Sequence, residues 1–174
     1  ADSLGTLDEQ ISRRSAPEPR VARIKPTRVY RATPAVAPAT RDLILSNGVG
    51  GFTPHGREYV ITTTPGQVTP LPWVNVIANA QFGTVISESG MAYTWAENAH
   101  ESRLTPWHND PVSDTQGEAL YLRDEESGHF WTPTPLPCRG TAPYVTRHGF
   151  GYSVFEHIED GIRSELWMYV DLEA

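Results

Sequence analysis

The chain has 174 residues, 14 Lys+Arg against 21 Asp+Glu, and a formal net charge of −7. That length suits one domain with a core of its own. The single cysteine, Cys138, excludes an intrachain disulfide and fits a reducing compartment. The acidic balance argues against a dedicated nucleic-acid binder, and no apolar run approaches the roughly 20 residues of a membrane span or resembles a signal-peptide core.

The net charge is divided unevenly. Residues 1–41 carry Arg13, Arg14, Arg20, Arg23, Lys25, Arg28, Arg31 and Arg41 against four acids, a balance of +4. Residues 42–174 carry a balance of −11. Within residues 1–15, Leu4, Leu7 and Ile11 share a helical face, and Asp8 and Glu9 precede Arg13 and Arg14, so a short helix is expected there. Residues 16–40 contain Pro17, Pro19, Pro26, Pro34 and Pro38 and no glycine. Each proline removes an N–H and pushes its predecessor toward extended geometry. A basic, semi-extended linker over 1–41 is therefore expected, followed by a separate domain over 42–174.

From residue 42 the period is two. Asn47-Gly48-Val49-Gly50-Gly51-Phe52 lacks a P-loop lysine and a following helical pattern, so it reads as a turn entering a sheet rather than a phosphate cradle. Strands are predicted over 57–63, 73–77, 82–87 and 91–95. Two further hairpins follow: 119–123 with 129–132 around Asp124–Gly128, and 151–159 with 162–170 around Asp160-Gly161. Pro and Gly, 29 residues together, fall between these strands, and no segment keeps a helical stripe. The class is all-β, an antiparallel β-sandwich.

The histidines at 55, 100, 108, 129, 148 and 157 form no H-x-H or H-E-x-x-H pair, so no metal ligand set and no cofactor is assigned. Cys138 has no motif of a nucleophile around it. Glu97, Glu101, Asp110, Asp114 and Glu118 are numerous enough for a glycosidase pair, but loop spacing does not fix a carboxylate separation. The segment from Tyr93 to Glu118 is the most unusual: a long loop dense in Trp, Asn, Asp, Arg and His. Aromatic faces meet the C–H face of a pyranose, while planar amide, carboxylate and guanidinium groups take paired hydroxyls. Long loops of this kind often carry function.

The motifs Arg57-Glu58-Tyr59-Val60-Ile61, Thr69-Pro70-Leu71-Pro72-Trp73-Val74-Asn75 and Phe82-Gly83-Thr84-Val85-Ile86-Ser87 resemble the N-terminal domain of glycoside hydrolase family 94. Gly90-Met91-Ala92-Tyr93-Thr94-Trp95-Ala96, Arg103-Leu104-Thr105-Pro106-Trp107 and Asn109-Asp110-Pro111-Val112-Ser113-Asp114 are nearer the family's cyclic β-1,2-glucan synthase branch. The resemblance runs over about residues 42–172. It implies a galactose-mutarotase-like supersandwich, here apparently incomplete, ahead of a helical linker and an (α/α)6 barrel that holds the catalytic aspartate. It also implies a parent that joins a membrane-embedded glycosyltransferase to a phosphorylase-like region at the cytoplasmic face of the bacterial inner membrane.

No catalytic residue is carried over, because the barrel is not among these residues. Trp95, Arg103, Trp107, Asn109 and Asp110 are the carbohydrate-contact candidates. The expected partners are the helical barrel of the parent, β-1,2-glucan, and a second copy or edge strand. Nucleic acid and direct membrane insertion by this segment are not expected. A free-standing carbohydrate-binding module is the alternative; a phosphorylase acting by itself would have to release glucose 1-phosphate without a barrel.

Overall fold

The computed structural model describes Thr6, Asp8, Glu9 and residues 25–172. Most of the short helix expected over 1–15 lies outside the described residues. What is described of it is a helix start. Thr6 N–H donates to Glu9 Oε2 at 2.8 Å and Glu9 N–H donates back to Thr6 Oγ1 at 3.3 Å, a reciprocal capping box.

Ten strands follow: β1 (Gly50–Phe52), β2 (Glu58–Thr63), β3 (Val74–Ala78), β4 (Phe82–Ser87), β5 (Ala92–Ala96), β6 (Leu122–Arg123), β7 (Phe130–Trp131), β8 (Tyr144–Gly149), β9 (Tyr152–Glu159) and β10 (Ile162–Tyr169). They form a five-stranded sheet in the order β1-β2-β8-β9-β10, a three-stranded sheet β3-β4-β5 and the hairpin β6-β7, all antiparallel. The protein is all-β, as its period-two pattern predicts. No helix among the described residues is long and apolar enough to cross a membrane.

Alternation decides which face is inside. Phe155 on β9 stands opposite Thr146 on β8 and Leu166 on β10, and Thr146 stands opposite Ile61 on β2. This row faces the small sheet, where Ile77 and Ile86 meet Phe155 in a cluster with Leu166 and Met168 against it. Leu166 and Met168 are half-buried while Glu165 and Trp167 are exposed, the parity expected of β10.

The turns follow local chemistry. Asp160 and Gly161 both have positive φ, 51° and 78°, a pair that suits the two-residue hairpin turn joining β9 to β10. Asn47 Oδ1 accepts from Val49 N–H at 3.1 Å and Gly50 N–H at 2.9 Å, which bends the glycine-rich segment into β1. The β6-β7 ladder has only two residue pairs, shorter than the sequence predicts. Ala119 and Tyr121 line a cavity instead of pairing, and Thr132 N–H turns away to Cys138 O. β8 has no counterpart in the sequence reading.

Residues 25–41 have no helix or strand, yet they are tied to the sandwich. Thr27 and Arg28 N–H donate to Glu126 O at 2.7 and 3.1 Å, and Arg28 Nη2 donates to Asp124 Oδ2 at 2.6 Å. Arg41 Nη2 bonds both oxygens of Glu156, at 2.8 and 2.6 Å. Glu156 also accepts from Arg147 Nε at 2.7 Å, and Arg147 reaches Glu58. The outer face of the large sheet is thus crossed by an Arg/Glu network that runs from residue 41 to β2, β8 and β9.

Between the layers, His148 is held by Ser153 Oγ at 2.9 Å and Trp73 O at 3.0 Å. A carbonyl only accepts, so His148 Nε2 carries the proton and Nδ1 takes the Ser153 hydroxyl. Burial pushes its pKa below the ordinary value, against the bond to Trp73. The native state therefore keeps His148 neutral while the unfolded chain protonates it below about pH 6.5. Stability from this group is complete above that pH and falls as pH drops. Urea titrations between pH 7.5 and 5.5 should show stability falling on acidification, with a shallower fall in His148→Gln; equal slopes for the two proteins would contradict it.

Candidate functional site: an aromatic row and a polar cleft

β5 carries Tyr93 and Trp95 on one face and Ala92 and Thr94 on the other. Thr94 Oγ1 bonds Thr84 Oγ1 at 3.3 Å, and Thr84 lies opposite core residue Ile77. Tyr93 and Trp95 therefore occupy the outer face, in line with Val85, Val76 and Gly83. Val76 is 60% exposed, so this face is open.

After β5 the chain doubles back. Asn98 Oδ1 accepts from His100 and Glu101 N–H at 2.8 and 2.9 Å, making the turn. Leu104 N–H then donates to Thr94 O at 2.9 Å, and Arg103 bridges Trp95. Trp107 follows and tilts against Tyr93, centroids 5.3 Å apart; Tyr93 in turn lies 5.5 Å from Trp95. Three rings make a row, with Tyr93 buried in the middle and Trp107 41% exposed at one end. Trp95 lies flat on the backbone of Gly83. A Cβ there would sit 2.3 Å from the Trp95 ring, so only glycine admits the ring.

The structure brings Trp95, Arg103 and Trp107 together. The Arg103 side chain is exposed, and its Nε–H donates to His100 O at 3.2 Å. Asn109 is exposed further along the loop. Asp110 closes its own turn: Oδ1 accepts from Val112 and Ser113 N–H at 3.0 and 3.1 Å. Those bonds from Ser113 and Val112 hold its pKa below the usual carboxylate range.

Beyond that turn lies a cleft of about 460 Å³, whose walls include Leu71, Glu88, Val112, Asp114, Leu136 and Arg139. Two of its carboxylates are buried. Asp114 Oδ2 accepts from Ser87 Oγ at 2.7 Å and from Ser89 Oγ. Glu88 accepts from Trp73 N–H at 2.7 Å and from the Thr69 hydroxyl. Burial raises the Glu88 pKa, although both bonds oppose it. Desolvation lowers the Arg139 pKa, and its guanidinium lies 5.6 Å over the Tyr144 ring. Glu88 and Arg139 were not legible as site residues. Ser-Glu-Ser-Gly reads as a solvated turn, and only contacts with residues 69, 73 and 146 bury it.

The family follows from comparison. The Glycosyl hydrolase 94, supersandwich domain matches residues 57–174. This chain belongs to that family. The cyclic beta-(1,2)-glucan synthase NdvB of Rhizobium meliloti (strain 1021) is 38% identical over 171 residues, 92% of this chain. The N,N'-diacetylchitobiose phosphorylase of Vibrio proteolyticus is 33% identical over 70% of the chain, and the solabiose phosphorylase of Paenibacillus borealis 31% over 72%. The chain spans 6% of the synthase's length and 15% and 16% of the two phosphorylases. As in the sequence reading, the β-sandwich belongs with glucan synthases and glycoside phosphorylases.

The close approach of Gly83 gives a test of the aromatic row in this family 94 domain. Gly83→Ala should displace the Trp95 ring and alter the near-ultraviolet circular dichroism, with the far-ultraviolet spectrum retained. An unchanged near-ultraviolet spectrum would mean that Trp95 does not lie on Gly83.

Proposed function

We propose that this domain is a scaffold and glucan-contact element of a longer cyclic β-1,2-glucan synthase-like protein, serving an (α/α)6 phosphorylase-type barrel. The chemistry belongs to that barrel, so the sandwich by itself is not an enzyme. The observation that carries the contact role is Trp107, exposed and propped against buried Tyr93 and half-buried Trp95, beside the exposed Arg103. Aromatic faces of this kind cover the apolar face of a glucose ring, and a guanidinium offers paired donors to adjacent hydroxyls. The likeness to the synthase along nearly the whole chain favours β-1,2-glucan over other sugars.

The scaffold role draws support from β10. It is the edge strand of the large sheet, with Trp167 and Tyr169 exposed on it. Such an edge offers unpaired backbone groups to a neighbouring strand. The partner in this reading is the remainder of the parent protein or a second copy. The parent is anchored in the bacterial inner membrane and holds this domain at the cytoplasmic face.

A free-standing carbohydrate-binding module is the second reading, favoured by the exposure of Trp107 alone. Calorimetric titration with β-1,2-gluco-oligosaccharides tests the contact role in both. Binding is expected, and Trp107→Ala should weaken it, because the ring that covers the sugar's apolar face is removed. No heat with the wild-type chain, together with unchanged glucan processing when Trp95→Ala and Trp107→Ala are placed in the full-length protein, would overturn it.

A further inference from the structure

Away from the aromatic row, the β6-β7 hairpin meets the β9-β10 turn around a buried set of ligand atoms. His129 Nε2 is buried and has no hydrogen-bond partner. It stands 3.7 Å from Glu159 Oε1 and 3.7 Å from Asp160 Oδ2, and the three atoms lie within 4.8 Å of one another. Those separations are too long for hydrogen bonds. The two 3.7 Å separations from His129 suit ligands around one ion: bonds of about 2.0–2.2 Å opening at roughly 110–125° put ligand atoms about 3.4–3.8 Å apart.

The surroundings orient each ligand. The His129 ring is stacked between Tyr30, centroid at 4.0 Å, and buried Trp131 at 5.5 Å. Glu159 Oε2 accepts from Thr141 N–H at 2.9 Å and contacts His157 Nε2 at 3.0 Å, while Oε1 takes the Thr141 hydroxyl at 3.1 Å. Asp160 Oδ1 accepts from Tyr30 Oη at 3.4 Å and Thr33 Oγ1 at 3.3 Å, leaving Oδ2 for His129. A Cβ at Gly140 would lie 2.3 Å from Glu159 Oε2, so the glycine makes room for this carboxylate.

The charge is unbalanced. Among the described residues the ion pairs of Glu159 and Asp160 are with His129 and His157 alone, and neither pairs with Arg or Lys. Two carboxylates fixed by outer hydrogen bonds, and an idle imidazole nitrogen whose ring is fixed by stacking, make a donor set for a divalent metal of the zinc type. We propose that His129, Glu159 and Asp160 form a structural zinc site. The ion would staple the Tyr30–Thr33 segment and both hairpins together. The partial exposure of His129 and Asp160 gives it a path from solvent.

The test uses the untagged 174-residue chain. After chelator treatment it is dialysed against zinc chloride, and retained metal is measured by mass spectrometry alongside the thermal midpoint. One zinc per chain and a rise of several degrees, neither reproduced by magnesium, are expected. Asp160→Asn keeps a side chain that tolerates the positive φ of this turn and removes the charge. It should weaken zinc retention roughly tenfold or more, as should His129→Ala, while Cys138→Ser leaves retention unchanged. No retained zinc would overturn the proposal, as would equal retention by folded Asp160→Asn. A thermal midpoint that does not respond to zinc would do the same.

Discussion

The inner face of the five-stranded sheet has to bury more polar groups than apolar ones, and everything laid over it is held by hydrogen bonds from that face. Its apolar centre is small: Phe155 against Ile77 and Ile86. Around it Thr63, Thr146, Ser153, His157 and Glu159 are all buried. Each must find a partner, since an unpaired buried polar group costs about 1–3 kcal/mol. Thr146 Oγ1 donates to Glu88 O at 2.9 Å, and His148 holds Trp73 O. Tyr144 Oη donates to Thr132 O at 3.0 Å and accepts from Gly140 N–H at 2.8 Å. Burial drives the Tyr144 pKa up to about 12, so this phenol stays a donor across the ordinary pH range. Asn75 completes the set, with Nδ2 donating to Gly149 O and Tyr152 O, both at 2.9 Å. The small sheet and the loops over it are therefore registered on the large sheet by direction as well as by shape.

The outer face is organised by charge. Arg147 lies between Glu58 and Glu156 with its guanidinium 5.5 Å over the Trp167 ring, and its side chain is only 13% exposed. Arg41 completes Glu156 from the other side. Among the described residues, Arg28 and Arg41 of the basic segment meet the acidic sandwich as ion pairs, with Asp124 and Glu126 at one point and Glu156 at the other. Charge that looks divided along the chain is partly neutralised in space. This docking also explains how both faces of β8 come to be covered: Val36, Pro38 and Arg41 share a cavity wall with Val145, Glu156 and Ile158.

Much of the fold was legible because its signals are local. Asp160-Gly161, the alternation of β10 and the strand from Phe82 to Ser87 each carry period and turn chemistry within a dozen residues. β8 was not, because Tyr144, Val145 and Thr146 are all buried and leave no alternation to see. For the candidate site, the composition of the Tyr93–Glu118 loop singled out Trp95, Arg103 and Trp107, and the fold gathers these three on one surface. The same composition could not show that Asp110 spends Oδ1 on its own turn, nor that Glu88 is buried. His129, Glu159 and Asp160 come from two hairpins with no fixed spacing between them, so no motif could join them.

The small sheet, the aromatic loop and the cleft all lie between Thr63 and Tyr144, which are directly paired neighbours on β2 and β8. They form one excursion that leaves the large sheet and returns to it. The entropy of closing such a loop grows only with the logarithm of its length, about 0.6 kcal/mol for each doubling. Lengthening or shortening the Tyr93–Glu118 loop thus costs the large sheet little. The register of β2 on β8 is set by their own ladder, while Thr146 and His148 hold the excursion to it. A family whose members act on different sugars can therefore rewrite this loop freely while the sheet beneath it stays the same.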